Sequence, residues 1–297
     1  MPISGILATV LSALLMGTMG VFSKFTGLSA ETMTCGRLFF GAGFMLFFLV
    51  GIGRTGCLRQ WPSWPVLVNG AMLSGFIIFY VQAMTLTTMA NAIMLVYLAP
   101  VSASVVAHFF LGERLDRVRV ILIGGALLGF AMMMEFQLEL STGSGHLLGI
   151  GYGLLSMAAY TSFILLNRLV RPEIHLYSRT FYQLLVGGLV VLPLVALDPP
   201  SISGVNWLWL LATGLLPGFL AILCAVIGLH HLPAATFGTL AYVEPVAVVV
   251  FGWVLFQERL SPLQLGGCGL ILLCGIVQVC YRPSRPSRPR EAVPAGT

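Results

Sequence analysis

ANAIMLVYLAPVSASVVAHFFLGERL (Ala90–Leu115) and ATFGTLAYVEPVAVVVFGWVLFQERL (Ala235–Leu260) align without a gap at an offset of 145. The shared residues include Ala90/Ala235, Leu95/Leu240, Tyr97/Tyr242, Pro100/Pro245, Val101/Val246 and the Glu-Arg-Leu triplets at 113–115 and 258–260. Each copy is an apolar run of the length that crosses a bilayer, about 20 residues. A weaker correspondence at an offset of 144 sets Ser12 against Ser156 and Lys24 against Arg168. The repeat therefore extends well beyond one helix. It divides the chain into two halves.

Working outward, Gly, Pro and charged residues punctuate further apolar runs. Spans are expected near 3–25, 31–51, 66–86, 90–111, 118–136, 147–168, 176–197, 206–229, 235–256 and 262–281. Composition agrees, with 58% hydrophobic and 8% charged residues, against about 25% charged in a soluble domain. Ten crossings and short loops use the whole length, leaving no sequence for a soluble domain. The first run, from Ile3, lacks a basic lead and a cleavage site, so it reads as a span and not a removable signal. Short loops exclude a channel with extramembrane domains, a single-span receptor and a barrel. The fold class expected is an all-α membrane protein of ten transmembrane helices. Five spans per half is an odd number, so the second half must be inverted in the membrane. Inverted repeats characterise secondary transporters, with a binding site near the midplane between the halves. The expected units are 1–140, 141–281 and a disordered cytoplasmic Arg/Pro tail, 282–297.

Orientation follows from the arginines. Arg54, Arg59, Arg114, Arg117, Arg119, Arg168, Arg171, Arg179 and the four in the tail fall on one side, against Lys24 and Arg259 on the other. Basic loops stay in the cytoplasm, so both termini are expected inside a bacterial inner (plasma) membrane. The net charge of +5 belongs to these topology signals and not to nucleic-acid binding. Six cysteines without a CxxC pair and only scattered acids and histidines predict neither disulfides nor a metal site, and no cofactor is implied. An intramembrane enzyme would need facing acids and bases, and the spans offer none. Gly145/Gly149/Gly153 and Gly125/Gly129 read as close packing inside the bundle, so a monomer is expected.

A Pro-centred span ending in Gly-Glu-Arg-Leu, with Val-Glu-Pro-Val and Gln-Glu-Arg-Leu in the second half, resembles the drug/metabolite transporter superfamily. Within it the chain is similar to the EamA-type exporters and most resembles bacterial aromatic amino acid exporters of the YddG type. That resemblance implies a basket of helices around a central cavity, the fifth and tenth helices peripheral, and an aromatic amino acid as solute.

The residues themselves suggest where such a solute would sit. Pro100 and Pro245 each remove one backbone donor and read equally as hinges or as packing kinks. Tyr97 and Tyr242, just before them, are the leading cavity candidates, because a phenol inside a membrane needs a partner. Helical spacing adds Met94 to the face of Tyr97 and Thr239 to that of Tyr242. Span six presents Tyr152, Ser156, Tyr160, Phe163 and Asn167, and span one Ala8, Ser12, Met16, Met19 and Ser23. Mixed aromatic, Met and hydroxyl faces suit a mostly apolar, amino acid-like small molecule with a polar end. In span three, Tyr80 and Gln82 point about 200° apart, and either can face inward. Glu244, a carboxylate deep within a span, is a functional suspect. It could carry a proton for coupling, although capping of a freed backbone group is the preferred reading. Arg37 either meets a substrate carboxylate or another helix. No paired interior bases are present to clamp a phosphate, which argues against sugar phosphates.

Overall fold

The computed structural model describes residues 3–59, 62–113, 115–137, 144–170, 173–197 and 199–281. Arg114, Arg171, the boundary at 140/141 and the whole Arg/Pro tail lie outside these residues. Among the described residues the chain is helical, without strands. Spans one to three are α1 (Ile3–Thr26), α2 (Ala30–Gly51) and α3 (Trp64–Leu86), with a short 3-10 turn at Thr55–Arg59. Span four is split into α4 (Met89–Val96) and α5 (Ala99–Phe110), and span five is α6 (Arg117–Met133). The second half repeats this order as α7 (Ser144–Leu169), α8 (Leu176–Leu197), α9 (Gly204–Thr213) with α10 (Ala221–His231), α11 (Ala234–Ala241) with α12 (Val243–Phe256), and α13 (Pro262–Cys280). Nine of these spans are long and apolar enough to cross a membrane. The tenth, α6, has 17 residues, about 25 Å at 1.5 Å per residue, and begins with two arginines that can reach the interface.

Backbone chemistry explains the breaks. Pro100 has no N–H to bond to Val96, so the helix stops there and restarts with Ala99 and Pro100 in a new first turn. A missing donor costs nothing at that position. Val243 and Pro245 do the same in span nine. The prolines therefore start helices; they do not bend continuous ones. In span eight, Pro217 lies in a π-helical turn, Gly214–Leu220, that joins α9 to α10. Wider i to i+5 bonding accommodates the lost donor. Thr88 caps the half-span α4, and Asp116 and Ser261 cap the full spans α6 and α13, accepting backbone N–H bonds from Asn91, Arg119 and Gln264.

Packing follows a pseudo-twofold exchange of the halves. α3 packs on α7 as α1 packs on α10, and α4 and α5 meet α7 as α11 and α12 meet α1. The pairs α2/α8 and α6/α13 map onto themselves, and spans four and nine meet through α5 and α11. The end of α5 touches the start of α11, where the Ala234 N–H donates to Glu113 Oε2 at 2.7 Å. Spans four and nine thus run antiparallel, as inversion requires. Spans five and ten form the close α6/α13 seam beside the bundle. Here a Cβ on Gly129 would come 2.8 Å from the Gly267 carbonyl oxygen, and one on Gly125 would come 2.8 Å from Cys274 Sγ. At the start of span six, a Cβ on Gly149 would lie 2.9 Å from the backbone of Leu86 and Thr87. These glycines serve packing within the chain.

Candidate functional site

A cavity of about 620 Å³ lies between the halves, walled by α1, α2, α3, α4, α7, α10, α11 and α12. Its floor is formed by Thr9, Ser12, Phe163, Ile222, Ala225 and Phe237, and its mouth reaches Ser23, Lys24, Ala30, Met89, Phe256 and Glu258. The two ends differ. At the mouth Lys24 and Glu258 form an ion pair whose side chains are 52% and 49% exposed, with the Lys24 ammonium 4.3 Å from the centre of the Phe256 ring. Beyond the floor, Arg168 and Glu113 form a second ion pair, only 23% and 15% exposed. Arg168 also donates to the carbonyls of Leu229 and Leu232 at 2.9 and 2.7 Å. These two pairs join the same repeat positions, Lys24 with Arg168 and Glu258 with Glu113. A left-handed residue precedes each glutamate, Gly112 (φ 67°) and Gln257 (φ 55°), turning it back toward the other half.

Sequence reasoning placed several residues on the wall where they are found. Tyr97, Tyr160, Phe163 and Met16 line the cavity, and Tyr80, not Gln82, is the inward face of α3; Arg37, left open by the sequence, and Glu244, read there as a backbone cap, lie on the same wall. Phe76 and Met84 accompany Tyr80. The Phe76 and Tyr160 rings stack at 5.0 Å.

Other candidates belong elsewhere. Tyr242 is fully buried away from the cavity, packed with Phe130, Ile123 and Ile271 of the α6/α13 side. Its hydroxyl donates to the Tyr97 carbonyl at 2.5 Å, satisfying backbone at the helix break. Its face was the wrong one to follow, because α11 and α12 present Phe237, Ala241, Glu244, Val248 and Phe251 instead. Thr239 bonds back to the Ala235 carbonyl, and Ser156 ties α7 to α3 through the Phe76 carbonyl at 2.6 Å. Met94 faces a separate apolar groove lined by Asn91, Leu98, Gly124 and Ile150. Gln82 is exposed on the outer surface. Asn167, in the span-six stripe, accepts from Gln183 at 2.9 Å, and Tyr152 lies against Phe79. Sequence reasoning missed Phe76 as a wall residue in its own right, and Phe237, Val248 and Phe251 altogether. They lie one face round from the stripe that Tyr242 suggested.

The roles of the two tyrosines can be separated. Tyr242→Phe removes a buried hydrogen bond, and a loss of about 1 kcal/mol of stability is expected. Tyr97→Phe leaves that bond intact, since Tyr97 contributes only its carbonyl. Thermal unfolding in detergent checks this, and a Tyr242→Phe variant as stable as the wild type would contradict the assignment.

Polar groups on the wall are few. Away from the mouth, the charged residues on the wall are Arg37 and Glu244. No interhelical backbone group is capped by Glu244 in the hydrogen bonds found among the described residues, so the capping reading gives way to a cavity-facing carboxylate. Among the described residues no cluster of three metal-binding side chains occurs.

The comparisons agree with this architecture. EamA-like transporter family matches residues 3–135 and again 147–279. An uncharacterized transporter of Archaeoglobus fulgidus is 29% identical over 272 residues, covering 91% of this chain and 94% of that protein. The pseudopaline exporter CntI of Pseudomonas aeruginosa is 26% identical, with 92% and 95% covered. The threonine/homoserine exporter RhtA of Escherichia coli is 29% identical, with 70% and 68% covered. A solved crystal structure superposes with a TM-score of 0.82 at 22% identity, covering 93% of this chain and 98% of the other, which establishes the shared fold. Two family matches in one chain, on the two halves that enclose the cavity, place this multi-pass membrane protein in the EamA-like transporter family.

Proposed function

We propose that the chain exports small zwitterionic, amino acid-like metabolites, aromatic and hydrophobic ones included, by alternating access between its halves, which divide near residue 140. The observation that carries this reading is the cavity: one chamber between pseudo-symmetric halves, sealed at one end and reachable at the other. The Arg54, Arg59, Arg117, Arg119 and Arg179 side is taken as cytoplasmic, which puts both termini inside and makes the captured conformation outward-facing. Exchange of the two ion pairs between buried seal and exposed mouth then generates the inward-facing state. Pro100 and Pro245 supply the half-span junctions about which the halves rock. The wall supports an apolar solute body through Phe76, Tyr80, Tyr97, Tyr160 and Phe163. The amino acid exporter among its relatives favours the same class.

The test is flux into proteoliposomes with a panel of amino acids, amphiphilic drugs and sugar phosphates. Saturable movement of amino acids is expected, with no movement of sugar phosphates. Saturable drug flux without amino acid flux would replace the solute class, and the absence of any flux would overturn the transport reading.

A further inference from the structure

We infer that Arg37 and Glu244 form a two-point clamp for the solute's carboxylate and ammonium groups, making Arg37 the residue that selects carboxylate-bearing substrates. This deepens the proposed transport reading and rests on it. Arg37 is 5% exposed, yet its Nε and Nη2 have no hydrogen-bond partner among the described residues. Its remaining contact is weak, from Nη1 to Met16 Sδ at 3.8 Å. A buried donor left unpaired costs about 1–3 kcal/mol, more when charged, so native interiors rarely keep one idle. Here two sit unpaired on one planar guanidinium of a residue that lines the cavity, and such a fork is what a carboxylate accepts with both oxygens.

Glu244 faces Arg37 across the chamber. Both residues line that chamber, but no nitrogen–oxygen distance between them falls within 4.0 Å, unlike the ion pairs of Lys24, Arg119 and Arg168. A gap between opposite charges in a cavity accommodates a zwitterion, whose carboxylate meets Arg37 and whose ammonium meets Glu244. Symmetry argues that packing does not demand either charge. At the depth of Arg37, the second half has Gln183 on α8, which donates to Asn167. At the position of Glu244 the first half has Ala99. Each half thus contributes one charge deep in the cavity wall that the other half lacks. Backbone supports the site too: the π turn lies so close to α2 that a Cβ on Gly218 would collide with the Arg37 carbonyl.

The experiment measures binding to the purified full chain in detergent, and counterflow in proteoliposomes, with four probes of one shape. L-phenylalanine carries both charges, L-phenylalaninamide and phenethylamine lack the carboxylate, and 3-phenylpropionate lacks the amine. The wild-type chain is expected to prefer L-phenylalanine at least tenfold over each of the others. Arg37→Gln should weaken L-phenylalanine at least tenfold while leaving phenethylamine within about twofold, and Arg37→Lys should recover part of the loss. Glu244→Gln should abolish the penalty on 3-phenylpropionate. Should Arg37→Gln fail to fold, the wild-type preference and Arg37→Lys still decide. L-phenylalanine flux that persists unchanged in a folded Arg37→Gln, or a wild type indifferent to the missing carboxylate, would overturn the clamp while transport stands. Failure of all four probes to bind or move would overturn the clamp and the amino acid reading together.

Discussion

Arg168→Ala is expected to lower stability by about 3 kcal/mol and slow flux at least tenfold, whereas Lys24→Ala costs under about 1 kcal/mol, although the two residues occupy equivalent places in the repeat. The difference comes from burial. Removing one partner of a buried pair leaves the other charge uncompensated, a loss of about 3–5 kcal/mol, and we take the lower figure because Arg168 and Glu113 keep 23% and 15% of their side-chain surface. Arg168 also holds the carbonyls of Leu229 and Leu232, and Glu113 holds the N–H of Ala234. Together they tie α5, α7, α10 and α11 below the cavity floor. The Lys24–Glu258 pair is about half exposed, and exposed pairs contribute about 0–1 kcal/mol. Thermal unfolding in detergent, with Glu113→Gln and Glu258→Gln completing two double-mutant cycles, measures both couplings. A coupling at the mouth as large as that beneath the floor would end the distinction between seal and mouth.

Gly129→Leu should strongly destabilise the α6/α13 seam, with Gly124→Leu nearly silent. Any Cβ at 129 meets the Gly267 carbonyl oxygen at 2.8 Å and Ile271 N at 3.2 Å, which are backbone atoms that cannot rotate away. Overpacking costs about 1–3 kcal/mol, and here relief requires separating two helices, so the upper end applies. A Cβ at Gly124 meets nothing within 4 Å, and in a helix a non-glycine residue recovers about 0.5–1 kcal/mol. Detergent melting of the two variants checks this. Equal stability of both would mean that the seam is looser than these distances require.

Much of the architecture could be read from linear patterns. Hydropathy marks the spans because a bilayer demands apolar runs of a set length, and the matched Tyr-x-x-Pro and Glu-Arg-Leu segments mark the repeat. Tyr80 and Gln82 illustrate the boundary of that reading: helical geometry separates them without saying which one faces in, and packing of α3 against α7 and α8 turns Tyr80 to the cavity. Tyr97 and Tyr242 are a sharper case. They align in the repeat, but Tyr242 supplies its hydroxyl to backbone while Tyr97 borders the chamber.

From its residues alone, the chain determined that it spans a membrane as two inverted halves, because span length and an odd repeat follow from local composition and counting. Only tertiary structure decided which end of the chamber is sealed and which faces of spans three, four and nine line it. It also left Arg37 and Glu244 opposed without touching. Burial, helix rotation and distance between charges depend on neighbours far apart in sequence, and no local pattern encodes them.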